Sequence, residues 1–368
     1  MTVLHTAARA SESAPTTAAA VRAAVGATTA WREASTGGQA IAAALRVAEG
    51  APTEILDGLA GASQIVISGA GSSYYIAQVA AVALRARCGL PAVAAPLSEV
   101  LLRPEGLFDH GDPTRQPVVV VSRSGSTTEA LGVIGLAHRR GHHAIAVTCR
   151  PQSPMADLAD DTLAVPEADE AAIVMTRSFA AQTALLMRLG ARAGTRTAEG
   201  RDVARFADHL DAVPARWASL EPYLERAFEL AVAAPSRVVI LGGGAAYGMA
   251  NEAVLKLTET SQVPAAAFHP LEFRHGPISV CEPGMLVVAI LGGAAEAAER
   301  RVVEESAALG ATTWVLGPEG PGADLDEIAR LPLVLHVLQA LALGVAVGRG
   351  LDPDAPRHLE QVVVIEDK

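Results

Sequence analysis

The stretch VISGAGSSY, residues 66–74, recurs as VILGGGAAY at residues 239–247. Each copy is a β-branched run that ends in glycine and passes into small residues, as a buried parallel strand does when it turns into its covering helix. Working outward, VVVVSRSGSTTEA (118–130) follows the first copy, and LVVAILGGAAEA (286–297) follows the second at similar spacing. Parallel strands are expected over 64–71, 117–125 and 142–149, and again over 236–244, 284–293 and 311–320. This order predicts an α/β protein of two tandem domains, each a doubly wound, mostly parallel sheet flanked by helices. The expected divisions are a mobile arm and first helix (1–35), a first domain (36–195), a helical linker (196–230) and a second domain with a C-terminal tail (231–368).

A chain of 368 residues suits two domains rather than one. Half of it is hydrophobic while aromatics reach only 4%, so its core must be packed largely with alanine and aliphatic side chains. With 29 Lys and Arg against 40 Asp and Glu, the formal charge is -11, which disfavours a nucleic-acid surface. An anionic ligand therefore needs a local site. Cys88, Cys149 and Cys281 are widely spaced, matching neither a disulfide framework nor a zinc site, and fit a reducing cytoplasm. His142 and His143 are adjacent rather than at helical ligand spacing, so no metal is expected. The N-terminal segment has no apolar core of signal-peptide type. The longest apolar run, LPLVLHVLQALALGVAVGRG (331–350), is interrupted by His336 and Gln339 and is expected to be a buried helix rather than a membrane span.

The two copies differ in their polar residues. Ser72 and Ser73 are replaced by Ala245 and Ala246, and Ser122, Ser124 and Thr127 have no hydroxyl counterparts in the second copy. Ligands in open parallel sheets bind beyond the carboxyl ends of strands, where helix N-termini and hydroxyls can surround a phosphate. Taken alone, either loop fits an ordinary Ser/Thr helix cap. Two such loops in one half, both missing from its twin, favour an anion site. There is no G-x-x-x-x-G-K-[ST] and no full dinucleotide glycine pattern, so neither nucleotide nor any other cofactor is expected. In NEAVLKLTET (251–260), Glu252, Lys256 and Glu259 share one helical face. That spacing by itself describes an exposed ion pair with a solvated carboxylate.

With GAGSSYY, SRSGSTTEAL, EAAIVMTRSFAAQ, NEAVLKLTETSQVPAAAF, LEFRHGP and LDPDAPRHLEQVVVIE in this order, the chain resembles the sugar isomerase (SIS) family from about residue 30 onward. More narrowly, it is similar to the isomerase half of glutamine–fructose-6-phosphate aminotransferase and its deaminase, deglycase and ketose–aldose isomerase relatives. The resemblance implies that Ser73, Ser122, Ser124 and Thr127 hold a sugar 6-phosphate, with Ser72 adjacent. Arg123 stands where the synthases have glutamine, which suggests a charge-assisted phosphate contact. The resemblance places the carboxylate that moves a proton between C1 and C2 at Glu259, with Glu252 and Lys256 positioning it. His275 matches the histidine that assists ring opening, which in the family often comes from the neighbouring subunit and so implies a homodimer. Thr176 and Arg177 would border the sugar, and Met175 stands where a small polar residue is common in synthases.

Two departures from the synthases bear on the reaction. No glutaminase segment precedes the resemblance in this sequence, which argues against glutamine as ammonia source. Gln361 stands where a synthase lysine can form a Schiff base, and an amide cannot replace it covalently. The expected activity is isomerisation with deamination of an amino-sugar 6-phosphate in the cytoplasm. The alternatives are dehydration of N-acetylglucosamine 6-phosphate by β-elimination, a deglycase acting on sugar–amine phosphate adducts, and a non-catalytic phosphosugar sensor.

Overall fold

The computed structural model describes residues 14–108, 111–197 and 202–361. Among the described residues, nine strands form two wholly parallel sheets. The first orders β2 (Ala92–Pro96), β1 (Ile65–Gly69), β3 (Val118–Val121), β4 (Ala144–Thr148) and β5 (Asp161–Ala164). The second orders β7 (Ala265–Phe268), β6 (Arg237–Gly242), β8 (Met285–Ile290) and β9 (Thr312–Leu316). Both begin with the same 2-1-3-4 arrangement, and in each the connections reverse direction between the first and third strands. The valine and isoleucine runs of β1, β3, β6 and β8 are buried on both faces, because helices cover each sheet above and below. All six strands read from the sequence are present. The three others, β2, β5 and β7, are short and poor in β-branched residues, and each lies at a sheet edge.

The duplication extends into details of the backbone. Gly71 (φ 54°, ψ −127°) opens the helix Ser72–Ala83, and Gly244 (φ 55°, ψ −126°) opens the helix Ala245–Lys256. Each helix then widens into a five-residue π-turn, Leu84–Cys88 and Leu257–Ser261, and each π-turn stops at a left-handed residue, Gly89 and Gln262. These paired helices are the seam between the halves. Gln78 and Asn251, equivalent positions of the two copies, hydrogen-bond to each other at 2.9 Å. A Cβ at Gly248 would lie 2.6 Å from Val79 Cγ2, so only glycine lets the helices approach this closely.

Helices outside the repeat surround this seam. Residues 1–13, part of the expected arm, lie outside the described residues. Ala18–Gly26 and Thr29–Ala34 are helices, with Val21 and Val25 fully buried against Glu221–Val232 and Leu331–Gly348, so this part of the arm is packed rather than free. The connection between the sheets contains the helix Val203–Arg216, a 3-10 turn and the helix Glu221–Val232. The apolar run forms the helix Leu331–Gly348, long and apolar enough to cross a membrane by composition but 89% buried within the protein. His336 interrupts it because Trp31 and Trp217 sandwich the imidazole, with ring centroids 5.0 and 4.6 Å away. Burial pushes this histidine down to about 4, so it is neutral at physiological pH.

Candidate functional site

The crevice beyond β1 and β3, where the first sheet reverses direction, holds a cleft of about 260 Å³. The loop after β1 supplies Ala70, Gly71, Ser72 and Ser73, and the loop after β3 supplies Ser122, Arg123, Ser124 and Thr127. The seam helix of the second half closes the opposite wall with Leu255, Lys256 and Glu259. Glu129, Ile173, Val174, Met175 and Gln361 complete the lining. The structure thus brings together ten of the fourteen residues singled out from the sequence, all but Thr176, Arg177, Glu252 and His275. Glu252 lies behind Lys256, fully buried. His275 does not line the cleft: it is exposed on the turn that follows the helix Pro270–Phe273.

The hydroxyl-rich loop is shaped by its own hydrogen bonds. Gly125 N–H donates to Ser122 Oγ at 3.2 Å, Ser126 N–H donates to Ser124 Oγ at 3.2 Å, and Ser122 Oγ lies 3.3 Å from Thr127 Oγ1. Each serine oxygen accepts from the loop, which leaves its hydroxyl proton to donate elsewhere. Thr127 occupies the N-cap position of the helix Thr128–Arg139, yet its side chain makes no cap hydrogen bond. Gly71, the N-cap of Ser72–Ala83, has no side chain to cap with. Two 12-residue helices therefore present uncapped N-termini to one cleft, and both favour negative charge there. Gly125 (φ 63°) carries the sharp turn between them, and its carbonyl accepts from Met155 N–H at 2.9 Å.

Arg123 is engaged away from the phosphate position expected for it. Its Nη1 donates to the Ala172 carbonyl at 3.0 Å, and its Nη2 donates to the carbonyls of Ile173 at 3.1 Å and Gln361 at 3.3 Å. Nη1 also lies 3.5 Å from the buried Glu170 carboxylate. Glu170 in turn accepts from Thr176 N–H at 2.7 Å, Thr176 Oγ1 at 2.5 Å and Ser178 Oγ. The Gln361 amide donates to the Glu170 carbonyl at 2.8 Å. Arg123 and Glu170 therefore bind the 170–176 loop and the tail together over the cleft. The helix Thr29–Ala34 holds the same two segments from behind. Glu33 accepts the N–H groups of Ala171 and Ala172 at 2.7 and 3.0 Å, while Asp354 from the tail accepts those of Thr29 and Ala30 at 2.6 and 2.9 Å. Arg177 points back to Thr36 and the Asp169 carbonyl, and Thr176 is buried.

At the opposite wall, Lys256 forms an ion pair with Glu259 and lies 3.6 Å from Glu252. Burial, opposed by Lys256 and reinforced by Glu259, pushes the Glu252 carboxyl up to about 8. Neither Glu252 oxygen has a hydrogen-bond partner. At pH 7 Glu252 is thus a neutral acid, and the Lys256 charge is matched by Glu259. Burial would depress the Lys256 ammonium, but its ion pair with the Glu259 carboxylate helps to hold it protonated. Glu259 sits on the π-turn, where the widened helix turns its carboxylate into the cleft. At the equivalent positions of the first copy stand Val79, Ala83 and Ala86, so this acid–base group belongs to the second copy alone.

The roles of Glu33 and Asp354 are not readable in the sequence, since their partners lie 138 to 325 residues away. Glu170 has Thr176 and Ser178 close by in the chain, but no local pattern marks its burial or its contact with Arg123. The sequence flags these two segments only through Met175, Thr176, Arg177 and Gln361. Among the described residues no group of three or more His, Cys, Asp or Glu side chains is arranged to hold a metal.

Comparison with known proteins bears on this cleft. The SIS domain family model matches residues 58–192 and 231–317, which carry both sheets. The glutamine–fructose-6-phosphate aminotransferase of Tropheryma whipplei is 28% identical over 335 residues, covering 85% of this chain and 53% of that protein. The corresponding enzyme of Aeropyrum pernix is 31% identical over 329 residues, covering 84% and 52%. The chain spans about half the length of these curated relatives. Among solved structures, glucosamine-6-phosphate deaminase from Thermotoga maritima superposes with a TM-score of 0.74 at 26% identity, covering 91% of this chain and 100% of that one. The tagatose-6-phosphate ketose/aldose isomerase of Escherichia coli, at 21% identity, 92% and 97% coverage and a TM-score of 0.72, shares the fold.

Proposed function

The chain belongs to the SIS domain family, and from that membership we propose that it is an enzyme of amino-sugar 6-phosphates that opens the ring, abstracts the C2 proton and releases ammonia. One observation carries the reading: a carboxylate paired with a buried lysine, Glu259 with Lys256, faces an uncapped double helix N-terminus across a single cleft. The cradle of Ser73, Ser122, Ser124 and Thr127 holds the phosphate, with Ser72 beside it, and the helix termini supply the complementary charge. Arg123 shapes this cradle through the loop and tail rather than by phosphate contact.

Once a proton has passed from O1 to O5 to open the ring, C2 is acidic because it lies α to the aldehyde. Glu259 takes the C2 proton and returns it to C1, while the amine gives up a proton and O1 gains one, leaving an imine at C2. Water adds to the imine carbon and ammonia departs, so one water is consumed for each ketose phosphate formed. Lys256 fixes Glu259 in place throughout. Ring opening falls to His275 of a second subunit, since the imidazole of the same chain is exposed away from the cleft; a homodimer is part of the proposal. The Gln361 amide, held by the Glu170 carbonyl, contacts the sugar without covalent chemistry.

Proton NMR in D2O tests the reading with glucosamine 6-phosphate and, separately, N-acetylglucosamine 6-phosphate. Fructose 6-phosphate and ammonia from the free amine, with Glu259→Gln binding the sugar but failing to exchange its C2 proton, are expected. An olefinic product from the acetylated sugar would make the protein a dehydratase instead. Binding of both sugars without exchange in the wild type would leave a sensor.

A further inference from the structure

The second sheet has its own reversal point, between β6 and β8, and there too a cleft opens, of about 380 Å³. Its walls repeat the first cleft in mirror roles. The turn Gly243–Gly244 and the residues Gly292–Ala295 line two sides, and the first copy's seam helix closes the third with Val82, Ala86 and Arg87. Every hydroxyl that shapes the first cradle is missing here. Instead two carboxylates face the glycine turns. Glu299 places Oε1 2.8 Å from where a Cβ at Gly243 would be, and Glu327 Oε2 lies 2.8 Å from the corresponding point at Gly292.

The two acids differ in their partners. Glu327 is paired with Arg87 at 2.9 Å, and Arg87 is also matched by Asp326 at 2.8 Å. Arg330 also lines the cleft, but it spends its guanidinium on the carbonyls of Leu291, Leu316, Gly317 and Pro321. Glu299 is 7% exposed, lines the cleft and makes no hydrogen bond or ion pair among the described residues. Burial, then the charges of Glu327 and Glu296, push its carboxyl upward, and no cation offsets them. A buried carboxylate turned into an open cleft without a donor lacks what a ligand can supply. The missing group is a hydrogen-bond donor with positive charge, and it must be small enough to pass between glycine walls.

We propose that the β6–β8 cleft is a second binding site, selective for small ammonium-bearing molecules such as an unphosphorylated amino sugar, with Glu299 as the group that receives the ammonium. Phosphate and carboxylate ligands are rejected by the same two acids. Ala86 stands where the first cleft has Glu259, so a molecule held here does not meet the carboxylate–lysine pair of the first cleft and is not turned over. The site is independent of the proposed reaction.

Saturation-transfer NMR with glucosamine and glucose, at equal concentration and without phosphate, tests this on the full-length protein. Glucosamine is expected to give a saturable signal that glucose does not. Glu299→Gln, a change of charge at nearly constant shape, should weaken it at least tenfold, while Ser124→Ala leaves it unchanged. Equal signals from the two sugars, no signal from either, or a loss caused by Ser124→Ala rather than Glu299→Gln would overturn the proposal. Thermal melts of both variants confirm that each remains folded. Because the readout is binding of a sugar without phosphate, its failure leaves the turnover assay of the first cleft untouched.

Discussion

Glu252→Gln should make the protein more stable at pH 8 and leave it nearly unchanged at pH 4.5. The carboxyl ordinarily releases its proton near 4.5, and in the folded chain burial raises that to about 8. Between those values the folded state keeps a proton that the unfolded state has lost, so stability falls as pH rises. The loss is about 1.4 kcal/mol per pH unit across this window, roughly 4 kcal/mol by pH 7.5 and about 5 kcal/mol above pH 8. Glutamine has the same shape and no charge, so the variant escapes this cost. Differential scanning calorimetry of both proteins from pH 5 to pH 8.5 should show the gap between their melting temperatures widening with pH, to on the order of 5 °C at the upper end. A gap that stays constant, with the variant less stable throughout, would refute the reasoning. It would mean that Glu252 is ionised against Lys256 at all these pH values and that the 3.6 Å contact is a buried salt bridge broken by the substitution.

Two further outcomes test the architecture of the first cleft. Arg123→Gln removes donors from the carbonyls of Ala172, Ile173 and Gln361. It should lower stability by about 2–4 kcal/mol in denaturant unfolding and speed proteolysis of the tail, with KM rising more than kcat falls. Gly125→Ala puts a Cβ 2.5 Å from that of Ser153 on a backbone with φ 63°. A loss of about 2–4 kcal/mol is expected, together with loss of inorganic phosphate binding in titration calorimetry.

The legible parts of this protein were those with strong local chemistry. The central strands could be read because unbroken valine and isoleucine runs suit positions buried on both faces. Strands β2 and β7 are alanine-rich, and alanine prefers helix, so their pairing is decided by the neighbouring strand rather than by their own side chains. The hydroxyl asymmetry between the copies points to the crevice beyond β1 and β3, where the structure gathers those hydroxyls. It did not reveal that Thr127 leaves its helix uncapped, which depends on one side-chain orientation. Arg123 is a similar case. Its charge suggested a phosphate, but Glu170 and three carbonyls surround it, and they lie 47 to 238 residues away in the chain. The helical spacing of Glu252, Lys256 and Glu259 was visible, whereas the burial that makes one of them neutral was not.

The two π-turns also record a history. A π-turn is a single surplus residue inside an α-helix. Here the surplus falls at the same point in both copies, after 12 residues of helix and before a left-handed stop. One event before the gene was copied accounts for both, where separate events would need the same accident twice. The ancestor was then a single domain with the widened turn already in place, and two such domains could associate along the seam that now joins the halves. Fusion made the pairing permanent. The first copy has the hydroxyls, with Val79, Ala83 and Ala86 where its sibling has Glu252, Lys256 and Glu259; the second has the acids, with Ala245 and Ala246 in place of serines.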